Sequence, residues 1–81
     1  MTQIEALIAS IRQNPKDVRF ADACKVAKKL GFTHTGGKGS HKAFTMPGER
    51  VGLNFQKQVG GTIKPYQARQ LIEMIDKYGQ D

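Results

Sequence analysis

Cysteine and long apolar runs are both scarce in this chain of 81 residues. Cys24 is the only cysteine, so the chain can form neither an internal disulfide nor a cysteine-based zinc site, and we expect a reducing compartment. The longest uninterrupted apolar run, Ala6–Ala9, is far shorter than a membrane span. The first basic residue, Arg12, follows that run, whereas a secretory signal would place it before the run. These absences predict a cytoplasmic protein with no membrane partner.

Acidic residues are also few. Seven Asp and Glu stand against thirteen Lys and Arg, which gives a formal net charge of +6 and a sequence pI near 9.8. Residues 1–64 carry eleven basic and four acidic side chains, net +7, whereas residues 65–81 carry two and three, net −1. An excess of positive charge of this size favours a polyanion as the partner.

The length and the ordinary composition predict one folded domain. A chain of this size buries only roughly 60% of the surface that it exposes when unfolded, so there is room for one small core. No low-complexity tract or linker interrupts the sequence. We expect a single domain over residues 1–81, in which residues 1–14 form an N-terminal helical extension and residues 18–79 form the core.

Apolar residues recur at helical spacing in three segments, namely residues 2–13, 20–30 and 65–78. Thr2 with Glu5 makes a capping box at the first helix, and Gly31 is placed as the C-terminal cap of the second. Pro65 suits the first position of the third helix. On this last helix, three charged residues are spaced for i, i+4 pairing: Arg69, Glu73 and Lys77.

Three short β-prone runs lie between the second and third helices, at residues 32–35, 40–46 and 50–56. A glycine-rich turn at residues 36–39 and a Pro-Gly turn at residues 47–49 separate them. Val51, Leu53 and Phe55 alternate with polar residues, so one face of the sheet should be buried. The sequence therefore predicts an α+β fold with a three-stranded antiparallel sheet, two helices on one face and an extra N-terminal helix.

The stretch before the second strand, Gly36 to Ser40, is called the glycine loop below. Its spacing excludes a P-loop, because Gly39 stands where Ser or Thr is needed, and it excludes G-x-G-x-x-G, because Lys42 stands at the third glycine. Ser40 and His41 are adjacent in a strand and point to opposite faces, so they cannot form a nucleophile and base pair. Two histidines and one cysteine do not complete a zinc site, and we expect no metal and no cofactor.

The remaining chemistry suits RNA. Backbone amides of a glycine-rich loop can approach a phosphate closely, and the loop is flanked here by Lys38 and Lys42. Cleaving RNA without a metal needs two proton transfers and cations near the phosphorane, and the imidazole of His41 can serve either transfer. A further stripe of lysines on the second helix faces away from its apolar side: Lys25, Lys28 and Lys29.

Each of these features also has a purely structural interpretation. The glycines could serve only the turn, because turns need positive φ. His41 could be a capping donor for the loop or a solvated polar residue. The lysine stripe could be a solvated helix face. The combination of loop, histidine, stripe and net charge favours an RNA partner.

Four motifs carry a resemblance to a known family. They are Val18-Arg19-Phe20, the Lys-Leu-Gly-Phe run at residues 29–32, Gly39-Ser40-His41 at the start of a strand, and the Ile-Lys-Pro-Tyr run at residues 63–66. Together they resemble the HicA toxins of bacterial toxin-antitoxin systems, over residues 18–79. The resemblance implies a double-stranded-RNA-binding-like fold and a metal-independent endoribonuclease (mRNA interferase) that cleaves mRNA, inhibits translation and is neutralised by a HicB-like antitoxin.

The family's catalytic histidine corresponds to His41. The RNA contacts are then expected from the loop and its flanks, Gly37, Lys38, Gly39, Ser40 and Lys42, with a non-specific grip on the RNA backbone from Lys25, Lys28 and Lys29.

Two departures from the family pattern concern the second catalytic group. Residues 42–44 read Lys-Ala-Phe where many members have a second histidine or another residue and an aliphatic pair, and residues 54–56 read Asn-Phe-Gln where many carry Pro-x-His. If residues 36–39 form a four-residue loop, His34 lies opposite His41 on one face and could share the proton transfers. The alternatives are Lys38, Lys42 or water. A non-catalytic RNA-binding module of the same fold and a degenerate, inactive toxin are the other candidate functions.

Overall fold

The computed structural model describes residues 2–79, so residue 1 and residues 80–81 of the predicted domain lie outside the described residues. The elements in chain order are α1 (Gln3–Gln13), α2 (Phe20–Leu30), β1 (Thr33–Gly36), β2 (His41–Thr45), β3 (Leu53–Gln56) and α3 (Pro65–Tyr78). The strands form one antiparallel sheet in the order β1-β2-β3. The predicted α+β arrangement of three antiparallel strands and three helices is confirmed.

Local sequence sets the ends of the helices. The Thr2 hydroxyl accepts a hydrogen bond from the Glu5 amide at 3.1 Å and caps α1. Gly31 ends α2 in the left-handed region at φ 111°, which a glycine adopts without steric cost. Pro65 occupies the first position of α3, where the missing N–H costs nothing. The helix bounds expected from these signals are confirmed.

The core lies between the sheet and two helices. Phe44, Leu53 and Phe55 are fully buried on one face of the sheet, in the same cluster as the inner residues of α2 and α3. We call this the helix-covered face. The residues that alternate with these lie on the opposite, open face: Thr33, Gly36, His41, Ala43, Thr45, Asn54 and Gln56. α1 packs on α2 and α3 through the buried Ile11.

No helix within residues 2–79 is long and apolar enough to cross a membrane.

Two sequence expectations at the far end of the sheet are wrong. β3 begins at Leu53, and Val51 is 48% exposed instead of buried, because the chain is still turning there with the Val51 amide directed to the Glu49 carboxylate. Lys77 binds Glu49, 28 residues away along the chain, and not Glu73. The i, i+4 spacing on α3 therefore gives way to a tertiary ion pair.

Glu49 joins the β2–β3 turn to the end of α3. Its carboxylate is only 5% exposed and lies 2.8 Å from the Lys77 ammonium, and it also accepts hydrogen bonds from the Tyr78 hydroxyl and the Val51 amide. The hydrogen bond from Lys77, followed by the one from Tyr78, lowers the pKa of Glu49 from its ordinary 4.5 to about 2. We call this arrangement the Glu49 cluster.

The Glu49 cluster predicts a component of stability that is lost in acid. Because folding lowers the pKa of Glu49, its ionised form stabilises the protein above about pH 4.5, and this contribution disappears as the pH falls through 2. Glu49→Gln should therefore lower the melting temperature at pH 7, and the difference from the wild type should shrink as the pH falls from 4.5 to 2. Thermal melts monitored by circular dichroism measure it.

Glu73→Gln is the matched control, because Glu73 is an exposed glutamate on α3 without an ion pair in the described residues. Its melting temperature should follow the wild type at every pH. A Glu49→Gln deficit that stays constant down to pH 2 would show that the carboxylate charge is not what stabilises this end of the molecule.

Candidate functional site

The glycine loop closes on itself as a tight turn. The His41 amide donates to the Lys38 carbonyl at 3.3 Å, and Gly39, at the second position of that turn, has φ +67° as type II′ turns require. Gly37 has φ +75°, and a Cβ built on it would lie 2.3 Å from the carbonyl oxygen of His41. Glycine at position 37 is therefore needed both for its conformation and for the close approach to the start of β2.

This turn shifts the hairpin register away from the one that would pair the two histidines. His34 lies opposite Phe44, and Gly36 lies opposite Ala43, with a bulge between His34 and Gly36. Because His34 shares the helix-covered face with Phe44 while His41 is three residues earlier in β2, the two imidazoles lie on opposite faces of the sheet. The predicted pairing of His34 with His41 is wrong.

His34 instead supports the loop. Its Nε2 lies 3.0 Å from the carbonyl oxygen of Gly37, so this nitrogen carries the hydrogen and donates. The ring also contacts Phe44, with the two ring centroids 5.5 Å apart. The capping role that the sequence left open for His41 belongs to His34.

His41 is the first residue of β2 and lies opposite Gln56. Its side chain is exposed on the open face, and within residues 2–79 its imidazole makes no hydrogen bond, ion pair or ring contact. An imidazole that no protein group holds is available to a ligand.

Lys42 lies on the other side of the sheet from His41. Its ammonium is 5.8 Å from the centroid of the Phe20 ring, at the start of α2, and the residue is only partly exposed. Beneath it, burial raises the pKa of the Cys24 thiol, while the charges of Lys42 and Lys28 act in the opposite direction. Lys42 is therefore a cation of the helix layer, and it does not share the open face with His41.

Several backbone contacts bring the glycine loop together with the starts of α2 and α3. The Lys57 amide donates to the Ser40 carbonyl at 2.7 Å. The Phe20 amide donates to the Gly61 carbonyl at 2.9 Å, and the Ile63 amide donates to the Val18 carbonyl at 2.9 Å. We call this part of the molecule the glycine-loop end. Its solvent-accessible cations are Arg19, Lys38, Lys42, Lys57 and Lys64.

The charges of the protein are segregated. Within residues 2–79, the ion pairs join Arg12 to Asp76 and Lys77 to Glu49, and both include the last turns of α3. No cation of the glycine-loop end takes part in an ion pair among these residues. The nearest carboxylates in sequence, Asp17 and Asp22, leave a net positive charge there. This end therefore attracts anions.

The lysine stripe lies in a different layer from His41. Lys25, Lys28 and Lys29 are exposed on the side of α2 that faces away from its buried residues. Since α2 covers the face of the sheet opposite to His41, an RNA that reached both groups would have to pass around an end or an edge of the sheet. The structure does not bring the stripe and His41 together in one pocket.

Gln67 holds β3 and α3 in place beside His41, and the sequence pattern did not reveal it. Only 2% of this side chain is exposed, and its Oε1 accepts hydrogen bonds from the Gln56 amide at 3.1 Å and from the Lys64 amide at 3.2 Å. The second bond is half of a capping box. That box is hard to recognise in the sequence, because Lys64 stands where its Ser or Thr is expected.

The comparisons leave the resemblance untested. Neither the protein-family models nor the curated proteins nor the solved structures contain a match to this chain. The likeness to HicA toxins therefore rests on the four sequence motifs and stays a prediction.

Within residues 2–79, no three His, Cys, Asp or Glu side chains are grouped so that they could hold a metal ion.

Gly37→Ala and Gly39→Ala form a matched pair that tests the loop. Both place an alanine at positive φ, which costs about 1–2 kcal/mol, but only at position 37 would the new Cβ meet the His41 carbonyl, because nothing lies within 4 Å at position 39. We expect Gly37→Ala to lower the free energy of unfolding by roughly 1–3 kcal/mol more than Gly39→Ala. Urea unfolding measures this difference, and equal losses would contradict the close approach.

Proposed function

We propose that this protein is a metal-independent endoribonuclease of the HicA type, with a double-stranded-RNA-binding-like fold and His41 as its catalytic imidazole. In this proposal it cleaves mRNA in the cytoplasm and inhibits translation, and a HicB-like antitoxin neutralises it. The observation that carries the proposal is the exposed imidazole of His41, held by no protein group within residues 2–79, beside a glycine loop and at an end of the molecule whose cations have no ion-pair partner in these residues. The motifs shared with HicA toxins give the reaction class.

The reaction needs two proton transfers. The 2′-hydroxyl loses its proton and attacks the adjacent phosphorus, the bond from phosphorus to the 5′-oxygen breaks, and that oxygen takes up a proton. The products are a 2′,3′-cyclic phosphate and a 5′-hydroxyl. His41 serves as base or acid, and Lys38 with the loop amides stabilises the charge on the phosphorane. With His34 and Lys42 on the other face, the second transfer falls to water or to a cation next to Ser40, either Lys38 or Lys57.

A non-catalytic RNA-binding module is the second candidate, and one observation favours it. The open-face residues near His41 include Gln56 and Asn54, whose amides do not serve as general acids or bases near neutral pH, and no carboxylate or second imidazole lies on this face of the described strands. Such a surface suits binding through hydrogen bonds and phosphate contacts. In that case His41 contacts RNA without breaking it. A degenerate toxin would have the same surface and also lack activity.

Cleavage of a long single-stranded RNA in EDTA separates the two candidates. The wild type should cut the RNA, and His41→Ala should reduce the cleavage rate by about 10²-fold or more, the size expected for a general acid or base. His34→Gln is the matched control, because it replaces the other exposed histidine while leaving a side-chain N–H near the Gly37 carbonyl. It should keep most of the activity.

Binding of the same RNA, measured by fluorescence anisotropy, completes the test. If the wild type and His41→Ala both bind the RNA and neither cuts it, the binding module replaces the nuclease. If His34→Gln is as inactive as His41→Ala while remaining folded, the assignment of separate structural and catalytic roles to the two histidines is wrong.

The lysine stripe predicts a salt effect without a catalytic one. Replacing Lys25, Lys28 and Lys29 by Gln should reduce the slope of log K against log salt concentration by about 0.7 for each phosphate of a single strand that these lysines neutralise. The cleavage rate at saturating RNA should change little, because these lysines lie in the helix layer and not on the open face. An unchanged salt slope would remove the stripe from the RNA interface.

A further inference from the structure

The two tyrosines of this chain have opposite environments. Tyr78 is partly buried, donates its hydroxyl to Glu49 and packs edge-on against Phe32. Tyr66 is 50% exposed, and within residues 2–79 its hydroxyl makes no hydrogen bond and its ring makes no aromatic or cation–π contact. One tyrosine therefore packs into the fold, whereas about half of the other is open to solvent.

Tyr66 lies at the glycine-loop end. It is the second residue of α3, two positions after Lys64 at the N-cap, and Arg69 is its neighbour at i+3 on the helix surface. The following residue, Gln67, bonds to the Gln56 amide, and Gln56 lies directly opposite His41. An exposed ring and nearby cations thus lie at the same end of the molecule as the proposed catalytic imidazole, with the ring in the helix layer and the imidazole on the open face of the sheet.

We propose that Tyr66 is a stacking platform for one unpaired base of the RNA, and hence that the substrate of this site is single-stranded. This inference rests on the proposed function for its RNA. Bases within an A-form duplex are already stacked on both faces, so an aromatic side chain can stack only on a base that has left the helix. Lys64 and Arg69 would contact the phosphates on either side of that base.

Binding measured in the His41→Ala background tests the platform without cleavage of the probe. The probes are a fluorescein-labelled single-stranded RNA of about twelve nucleotides, roughly one site in length, and the duplex of the same sequence. Tyr66→Ala should weaken single-strand binding roughly 5- to 100-fold and leave duplex binding unchanged, while Tyr66→Phe should bind the single strand as tightly as the parent. Val59→Ala is the control, since it shortens the fully exposed apolar side chain of the same end and should change neither affinity.

Tyrosine fluorescence reports on stacking directly. The protein has no tryptophan and two tyrosines, so a Tyr78→Phe variant leaves Tyr66 as the sole tyrosine fluorophore. Single-stranded RNA should quench this emission with the same midpoint as the anisotropy titration, and the duplex should not. The melting temperature of each variant shows that it is folded.

The outcomes separate this inference from the proposed function. If Tyr66→Ala weakens single-strand binding and Tyr66 is quenched while the wild type cuts no RNA, the nuclease proposal fails and the stacking site stands. If the wild type cuts RNA while Tyr66→Ala binds the single strand normally, the stacking site is overturned and the nuclease stands. Equal quenching by duplex RNA, or no binding of single-stranded RNA by the wild type, also overturns the stacking site.

Discussion

The burial of Phe44 is the constraint on which the rest of the molecule depends. Its side chain is fully buried between β2 and the helices, and it contacts Phe55 in the next strand, with ring centroids 5.7 Å apart. Because side chains alternate along a strand, fixing Phe44 inward fixes Lys42 inward and His41 outward. The large free energy of burying an aromatic ring thus decides which face of the sheet carries the imidazole. The burial of Phe44 thus sets the orientation of His41.

Features that depend on neighbouring residues could be predicted from the sequence, whereas the register of the first hairpin could not. The ends of α1, α2 and α3 depend on residues within one turn of each terminus, such as Thr2, Gly31 and Pro65, and local signals were sufficient for them. The register of the first hairpin depends on the bulge near residue 35 and on the turn closed by the Lys38 carbonyl, and neither follows from glycine content alone. The error in register was enough to assign His34 to the wrong face.

Tertiary contacts were the other feature that the sequence did not reveal. Lys77 had a correctly spaced partner in Glu73, yet it pairs with Glu49, where Tyr78 and a backbone amide add further hydrogen bonds. A well-solvated i, i+4 ion pair contributes little to stability. A nearly buried carboxylate, in contrast, needs several hydrogen-bond donors to offset the loss of its hydration. As a result, the ion-paired carboxylates lie at the end of α3, and the cations at the glycine-loop end have no ion-pair partner in the described residues.

The bulge in β1 also bears on how the protein behaves at high concentration. β1 is an edge strand, and an uncovered sheet with a free edge is a template on which another copy of the chain could add a strand. The break in regular pairing between His34 and Gly36 interrupts the row of backbone donors and acceptors after only a few residues, and glycines with positive φ follow it at positions 37 and 39. An incoming strand would find no continuous ladder to extend. The irregularity that separates the two histidines thus also disfavours strand addition at the β1 edge of the open-faced sheet.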